Sequence, residues 1–168
     1  MVRAREPCIF PREEPDMHTA PTTPSAISTL RLEEVLSDSS KFGANTVGTT
    51  TPGALRLSIP GSEYVLDLAA GGPTSVALGK RVMGVVSGRA LKLHRTHAGG
   101  EFIEPVEGHP RIVQGRVRET DPAGNRILLQ AVVPMWITLG ADQRAQEFHA
   151  GDMVNFYMES GVVFTPQS

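Results

Sequence analysis

The sequence predicts an all-β protein: a small antiparallel β-barrel, with a β-sandwich as the alternative, preceded by a mostly disordered N-terminal tail. Three observations carry this. From Ile127 to Leu139 every odd position is apolar, while Arg126, Gln130 and Thr138 are polar, which is the period of two that a strand needs when one face lies on a core. Six or seven such runs follow one another after Gly53, separated by clusters of proline, glycine, aspartate and asparagine. Only one weak helical insert, around Asp142 to Phe148, interrupts them.

Composition shifts near residue 53, which sets the expected boundary between a tail at 1–52 and a β-barrel domain at 53–168. Before it, Pro7, Pro11, Pro15, Pro21, Pro24 and Pro52 alternate with threonines and serines. Such a segment buries too little apolar surface to offset its chain entropy. One island stands out, because Ile27, Leu30, Leu32, Val35 and Leu36 follow an approximate helical spacing. It predicts a short helix at 27–36, capped by Ser28 or Thr29 and docked on the domain or on a partner. Met17 is an alternative translation start, which mass spectrometry would reject by finding native peptides upstream of it.

After Gly53 the elements can be taken in order. Leu55, Leu57 and Ile59 alternate, Pro60-Gly61 supplies the proline and positive-φ glycine of a type II turn, and Tyr64, Leu66 and Leu68 alternate again. That pattern is a hairpin. The run from Lys80 to His94 changes apolar phase between Val86 and Leu91, which demands a bulge or bend, placed at Gly84 or Gly88. Ile112 to Arg118 carries Val113, Gly115 and Val117 on one face, and Asp121-Pro122-Ala123-Gly124-Asn125 turns the chain, with Gly124 free to take positive φ. The long run from Ile127 follows, with Pro134 on its outward side as the mark of an edge or a bend. Gly151-Asp152 opens a final strand through Val154, Phe156 and Met158, and Gly161 punctuates it before Val162 and Phe164.

The bent, glycine-broken strand favours a closed barrel over a flat sandwich. A long curved strand, a loop, a tight hairpin, a linker and a strand opened by Gly-Asp resemble an oligonucleotide-binding barrel over roughly residues 80 to 165. That resemblance implies a binding module; the hairpin at 54–68 is extra to its five-stranded pattern.

With 16 basic and 18 acidic residues the net charge is -2, so the chain is not a wholesale polyanion binder and any anion site must be local. If odd positions from 127 point inward, Gln114, Arg116, Arg118, Arg126, Gln130 and Trp136 point outward, near Arg89 and Lys92. Between Lys80 and Arg118 the only acids are Glu101, Glu104 and Glu107. Guanidinium groups suit phosphate and an exposed indole offers a stacking face. The expected ligand site is therefore Arg89, Lys92, Arg116, Arg118, Arg126, Gln130 and Trp136, and the expected ligand is single-stranded nucleic acid or another polyanion. The competing reading of that face is an ordinary solvated surface, with Trp136 covering a second small core.

The alternative function is a protein-interaction or assembly domain, using the helix at 27–36 or the edge strand around Pro134 against a partner or another copy of itself. No catalytic constellation, cofactor motif or phosphate loop is present in the pattern. His94, His97 and His109 form a metal candidate of low weight, so no metal is expected. Cys8 cannot form an internal disulfide, and no apolar stretch approaches a membrane span, so the expected protein is a cytoplasmic, non-catalytic binding module without membrane contact.

Overall fold

Where alternate residues of a strand are apolar, that face must find a core, and the strand's own N–H and C=O groups must find neighbouring strands. The computed structural model describes residues 26–36 and 53–167, and in these residues eleven strands do so. They are β1 (Ile27–Leu36), β2 (Ala54–Ser58), β3 (Val65–Ala70), β4 (Arg81–Arg95), β5 (Phe102–Glu104), β6 (Glu107–Gly108), β7 (Ile112–Asp121), β8 (Arg126–Gln130), β9 (Pro134–Thr138), β10 (Met153–Met158) and β11 (Val163–Pro166). The protein is all-β. A single 3-10 turn, Ala145–Glu147, stands where the helical insert was expected.

All eleven strands join one sheet, in the order β1-β2-β3-β11-β4-β10-β7-β8-β9, and β4 also pairs with β1 and with β9. The ladders therefore run in two five-stranded circuits that share β4. On one edge of β4, Arg81–Val85 run antiparallel to Arg31–Ile27 and Val86–Arg89 run parallel to Met135–Thr138. On the other edge, Gly84–Ser87 face β11 and Ala90–Arg95 face β10. Among the described strands only the short β5 and β6 pair with a single neighbour. One continuous core fills both circuits, with Phe156 and Phe164 its largest fully buried side chains.

The hairpin at 54–68 forms as expected, with Ser58 opposite Val65. Ser62 N donates to Ile59 O at 3.1 Å and Gly61 has φ +81, the geometry of a type II turn. Every odd residue from Ile127 to Leu139 is buried. They do not form one strand, however, but β8 and β9 joined by a turn at 131–133. The ladder sets Ile127 opposite Ile137 and Leu129 opposite Met135, so odd pairs with odd and the inward parity passes through the turn unchanged. Pro134 opens β9, where its missing N–H costs nothing, and β9 is paired on both sides rather than lying at an edge.

The segment 27–36 is a strand, not a helix, and it belongs to the folded body rather than to a tail. Ser28, Leu30 and Leu32 alternate inward, then the register with β2 shifts between Leu32 and Glu34. A bulge adds one residue to a period of two, and the resulting spacing of Leu30, Leu32, Val35 and Leu36 imitates a helix. The remainder of the expected tail, residues 1–25 and 37–52, lies outside the described residues, as does Met17.

Two finer expectations also move. The phase change in β4 falls at Leu91 and Lys92, where the register with β10 shifts between Leu93 and Ala90. Gly84 instead makes room for a ring: a Cβ there would stand 2.5 Å from Phe164 Cζ. In the 121–125 turn the positive φ, +46, belongs to Asn125 and not to Gly124. Asparagine tolerates that region, and here its side chain fixes the conformation. Its Nδ2 donates to Gln143 O at 3.0 Å and its Oδ1 accepts from Ala145 N at 2.9 Å.

Candidate functional site

Because β7, β8 and β9 are consecutive neighbours with one face on the core, their other face collects side chains far apart in sequence. Register places Arg116 directly opposite Gln130, and Gln130 opposite Pro134. It places Arg126 opposite Thr138, and Thr138 beside Arg89 on β4. Leu128 lies opposite Trp136. Five of the seven expected site residues, Arg89, Arg116, Arg126, Gln130 and Trp136, thus share one outward face. Arg118 sits at the β7 bulge between Val117 and Glu119 without a partner residue in β8. Lys92 lies beyond the end of β9, in the β4 bulge.

Most of the charge on this face is compensated locally. Arg126 Nε donates to Asp121 Oδ2 at 2.7 Å, and its guanidinium carbon stacks 4.5 Å from the centroid of the Trp136 ring. The Asp121 carboxyl is held below its ordinary range by that bond and by the Gly124 amide. Arg89 Nε lies 3.5 Å from Glu159 Oε1. Trp136, half-buried, faces Leu128, which is 1 % exposed although it points outward; a small second core exists here, as the plainer reading of the sequence foresaw. Arg116, Arg118 and Lys92 are exposed and have no carboxylate partner among the described residues. Arg116 Nη1 donates to Gly151 O at 3.0 Å, and Gln130 Nε2 donates to Ala131 O at 3.1 Å.

Arg116 also lines a cleft of about 290 Å³ with Arg95, the 96–99 loop and Asp152. Arg95 is fixed on three sides: its Nε meets Asp152 Oδ2 at 3.0 Å, it donates to the Glu147 carbonyl, and its guanidinium lies 5.1 Å from the Phe148 ring centroid. The Asp152 carboxyl is depressed below its usual range, first by the His149 amide that donates to it and then by Arg95. A depressed carboxyl pKa contributes stability above the unfolded value, near 4, which is lost as pH falls through the folded value. Asp152→Asn is therefore expected to flatten the loss of stability below about pH 4. Chemical denaturation at several acidic pH values checks this, and an unchanged slope would contradict it.

Two further expectations of the sequence reading meet the geometry here. Gln114 is not an outward, free side chain. It is 6 % exposed, donates from Nε2 to Gly100 O at 2.9 Å, and accepts from Asn155 Nδ2 at 3.1 Å. Among the described residues no group of three or more His, Cys, Asp or Glu side chains converges on a metal position. Asp67, His109 and Ser160 line one cleft of about 320 Å³ and are the residue types of a nucleophilic triad. Both Asp67 carboxylate oxygens accept from Arg56, at 2.9 and 3.1 Å, and the His109 ring meets the Asp67 carbonyl instead. The Arg56–Asp67 side-chain bond pushes the Arg56 pKa upward, and the His109 ring meets a backbone carbonyl where a triad requires the carboxylate.

The sequence reading missed Gln143, 9 % exposed, whose amide accepts from Leu93 N at 2.7 Å and donates to Leu93 O at 2.9 Å. It serves as a substitute strand partner beyond the end of β9. No local pattern reveals a bond between residues fifty apart. The chain matches no protein family, no curated protein and no solved structure. No described helix is long and apolar enough to cross a membrane.

Proposed function

We propose that the protein is a non-catalytic binding module that holds a polyanionic strand, single-stranded nucleic acid before others, along the outward face of β7, β8 and β9. The observation that carries this is the placement of Arg116, an exposed guanidinium group without a carboxylate partner among the described residues, directly opposite the Gln130 amide on β8, with Trp136 on the next strand, β9, and the exposed Arg118 two residues further along β7. Arginine pairs with phosphate oxygens through two parallel donors, and an indole stacks on bases of any sequence. The topology supports an OB-like barrel beside that face, joined to it through β4. The circuit β1-β2-β3-β11-β4 links five strands in the chain order first, second, third, fifth, fourth, with its one parallel pair between third and fifth, which supports the five-stranded pattern of an oligonucleotide-binding barrel. The hairpin at 54–68 is then a member of the five rather than an extra. A cytoplasmic address forms part of the same proposal.

The test is the fluorescence of Trp136, the only tryptophan, titrated with mixed-sequence single-stranded RNA and DNA at low and moderate salt. Arg126 already lies against the indole, so binding there changes emission whether a base stacks or the guanidinium moves. A saturable change that weakens with salt is expected, and Arg116→Glu with Arg118→Glu is expected to reduce affinity by about tenfold or more. No change at low salt would overturn the reading.

A second reading, self-assembly, is favoured by one observation. Neither the helix at 27–36 nor an edge at Pro134 exists to serve it. Across the first half of β4, however, Ile27, Met83 and Val85 share an outward face with Thr165 and Trp136, and no charged residue intervenes between Arg81 and Arg89. Met83 is 52 % exposed. A mass in sedimentation that rises with concentration and falls with Met83→Asp would favour this reading over the first.

A further inference from the structure

At the start of β4 the ladder sets two like charges face to face. Arg31 on β1 is directly opposite Arg81 on β4, and Lys80 precedes Arg81 in the chain. Directly opposed residues of an antiparallel pair point to the same side with their Cβ atoms about 5 Å apart, where like charges destabilise the sheet. Little compensates them. Arg31 Nε donates to Gly79 O at 3.1 Å and lies 3.5 Å from Glu33 Oε1, a carboxylate that also accepts from Ser58 Oγ at 2.6 Å. Arg81 is exposed and has no ion pair or side-chain hydrogen bond among the described residues.

These two arginines border a cleft of about 440 Å³ whose far wall is the Pro60-Gly61 turn with the hydroxyl-bearing Ser58 and Ser62, and no carboxylate lines it. The loop that delivers Lys80 is fixed, because Gly79 N donates to Leu32 O at 2.6 Å and Leu32 N donates to Lys80 O at 3.0 Å. Gly79 holds φ +76, which allows that close return. Two planar guanidinium groups bordering a concave space match the oxygens of a tetrahedral anion, while the Ser58 and Ser62 hydroxyls already donate to Glu33 Oε1 at 2.6 Å and to Ile59 O at 2.9 Å. We propose that this cleft binds a phosphoryl group, with Arg81 as its principal donor and Arg31 as the second. The bound dianion would remove the repulsion that the register imposes. This site is independent of the polyanion face, since Arg81 and Arg89 are separated by up to about 26 Å of strand.

The test is thermal and chemical unfolding of the full chain in inorganic phosphate, with chloride at matched ionic strength as the control and glycerol 2-phosphate as the ester. Phosphate is expected to raise the midpoint saturably. In Arg81→Gln the phosphate-dependent rise is expected to vanish, while the midpoint in chloride stays equal or increases because the opposed charges are relieved. Tighter binding of the ester than of the free ion would identify a phosphorylated metabolite, and equal binding the free ion. An identical rise in chloride, or a full phosphate response retained by Arg81→Gln, would overturn the proposal. Trp136 titrations with oligonucleotide on Arg81→Gln keep the two sites distinguishable: they should match the parent protein.

Discussion

A chain shortened to begin at Gly53, the boundary that composition suggests, is expected to lose cooperative folding. Its missing strand, β1, forms ladders with both β2 and β4 and buries Leu30 at 0 % and Leu32 at 1 % exposure. Burying each leucine contributes about 1.5–3 kcal/mol. Removing both also uncovers Leu55, Leu57 and Val82, which are buried in the intact protein. The bond from Ser28 Oγ to Pro134 O at 3.2 Å, which ties β1 to the first residue of β9, goes as well. Against a total stability of about 5–15 kcal/mol this loss decides the outcome. Denaturant unfolding followed by circular dichroism should show no sharp transition. A midpoint equal to that of the full chain would mean that β1 is not part of the cooperative unit. The milder variant Leu30→Ala should cost about 2–5 kcal/mol.

Phe164→Ala is expected to cost about 3–5 kcal/mol, the usual range for a fully buried aromatic. The ring is 0 % exposed and lies over Gly84, near the start of β4. Its strand, β11, is only four residues long yet pairs with β3 on one side and β4 on the other. The partner experiment is Gly84→Ala, which alone should cost about 1–3 kcal/mol because the new methyl meets the Phe164 ring. A double-mutant cycle should then show the two changes costing less together than their sum. Relief should be partial, since the Thr165 carbonyl also stands 2.5 Å from the position of the added Cβ. Strict additivity in denaturant midpoints would contradict the contact.

Much of this architecture is legible in the sequence because strand parity is a local property. The odd residues from Ile127 to Leu139 are inward in the structure just as their alternation demands, and Pro60-Gly61 takes the turn its residue types prescribe. Parity misleads where a strand gains a residue. The bulge after Leu32 turned a strand into an apparent helix, and the bulge at Leu91 and Lys92 displaced a bend from Gly84 or Gly88, where glycine chemistry pointed. Neither bulge carries a glycine to announce it. Of the binding face, local pattern could say which residues point outward, and five of seven share a surface. It could not say that Asp121 and Glu159 neutralise two of its arginines. Nor could it place Arg31 opposite Arg81, since that pairing depends on a fifty-residue closure.

The sharing of β4 between two circuits has a consequence for synthesis. The circuit β4-β10-β7-β8-β9 uses no residue after Met158, so its last strand is made before β11. The circuit that starts first, with β1, β2 and β3, stays open between β3 and β4 until Val163–Pro166 leaves the ribosome. The later-begun half can therefore close first, and it does so around a strand whose leading end already belongs to the unfinished half. Closure of the first circuit requires the longest-range strand ladder among the described residues, β11 with β3, and such non-local closure is the slow kind. A released chain cut back to end before Val163 should be half-closed, with the first circuit open between β3 and β4.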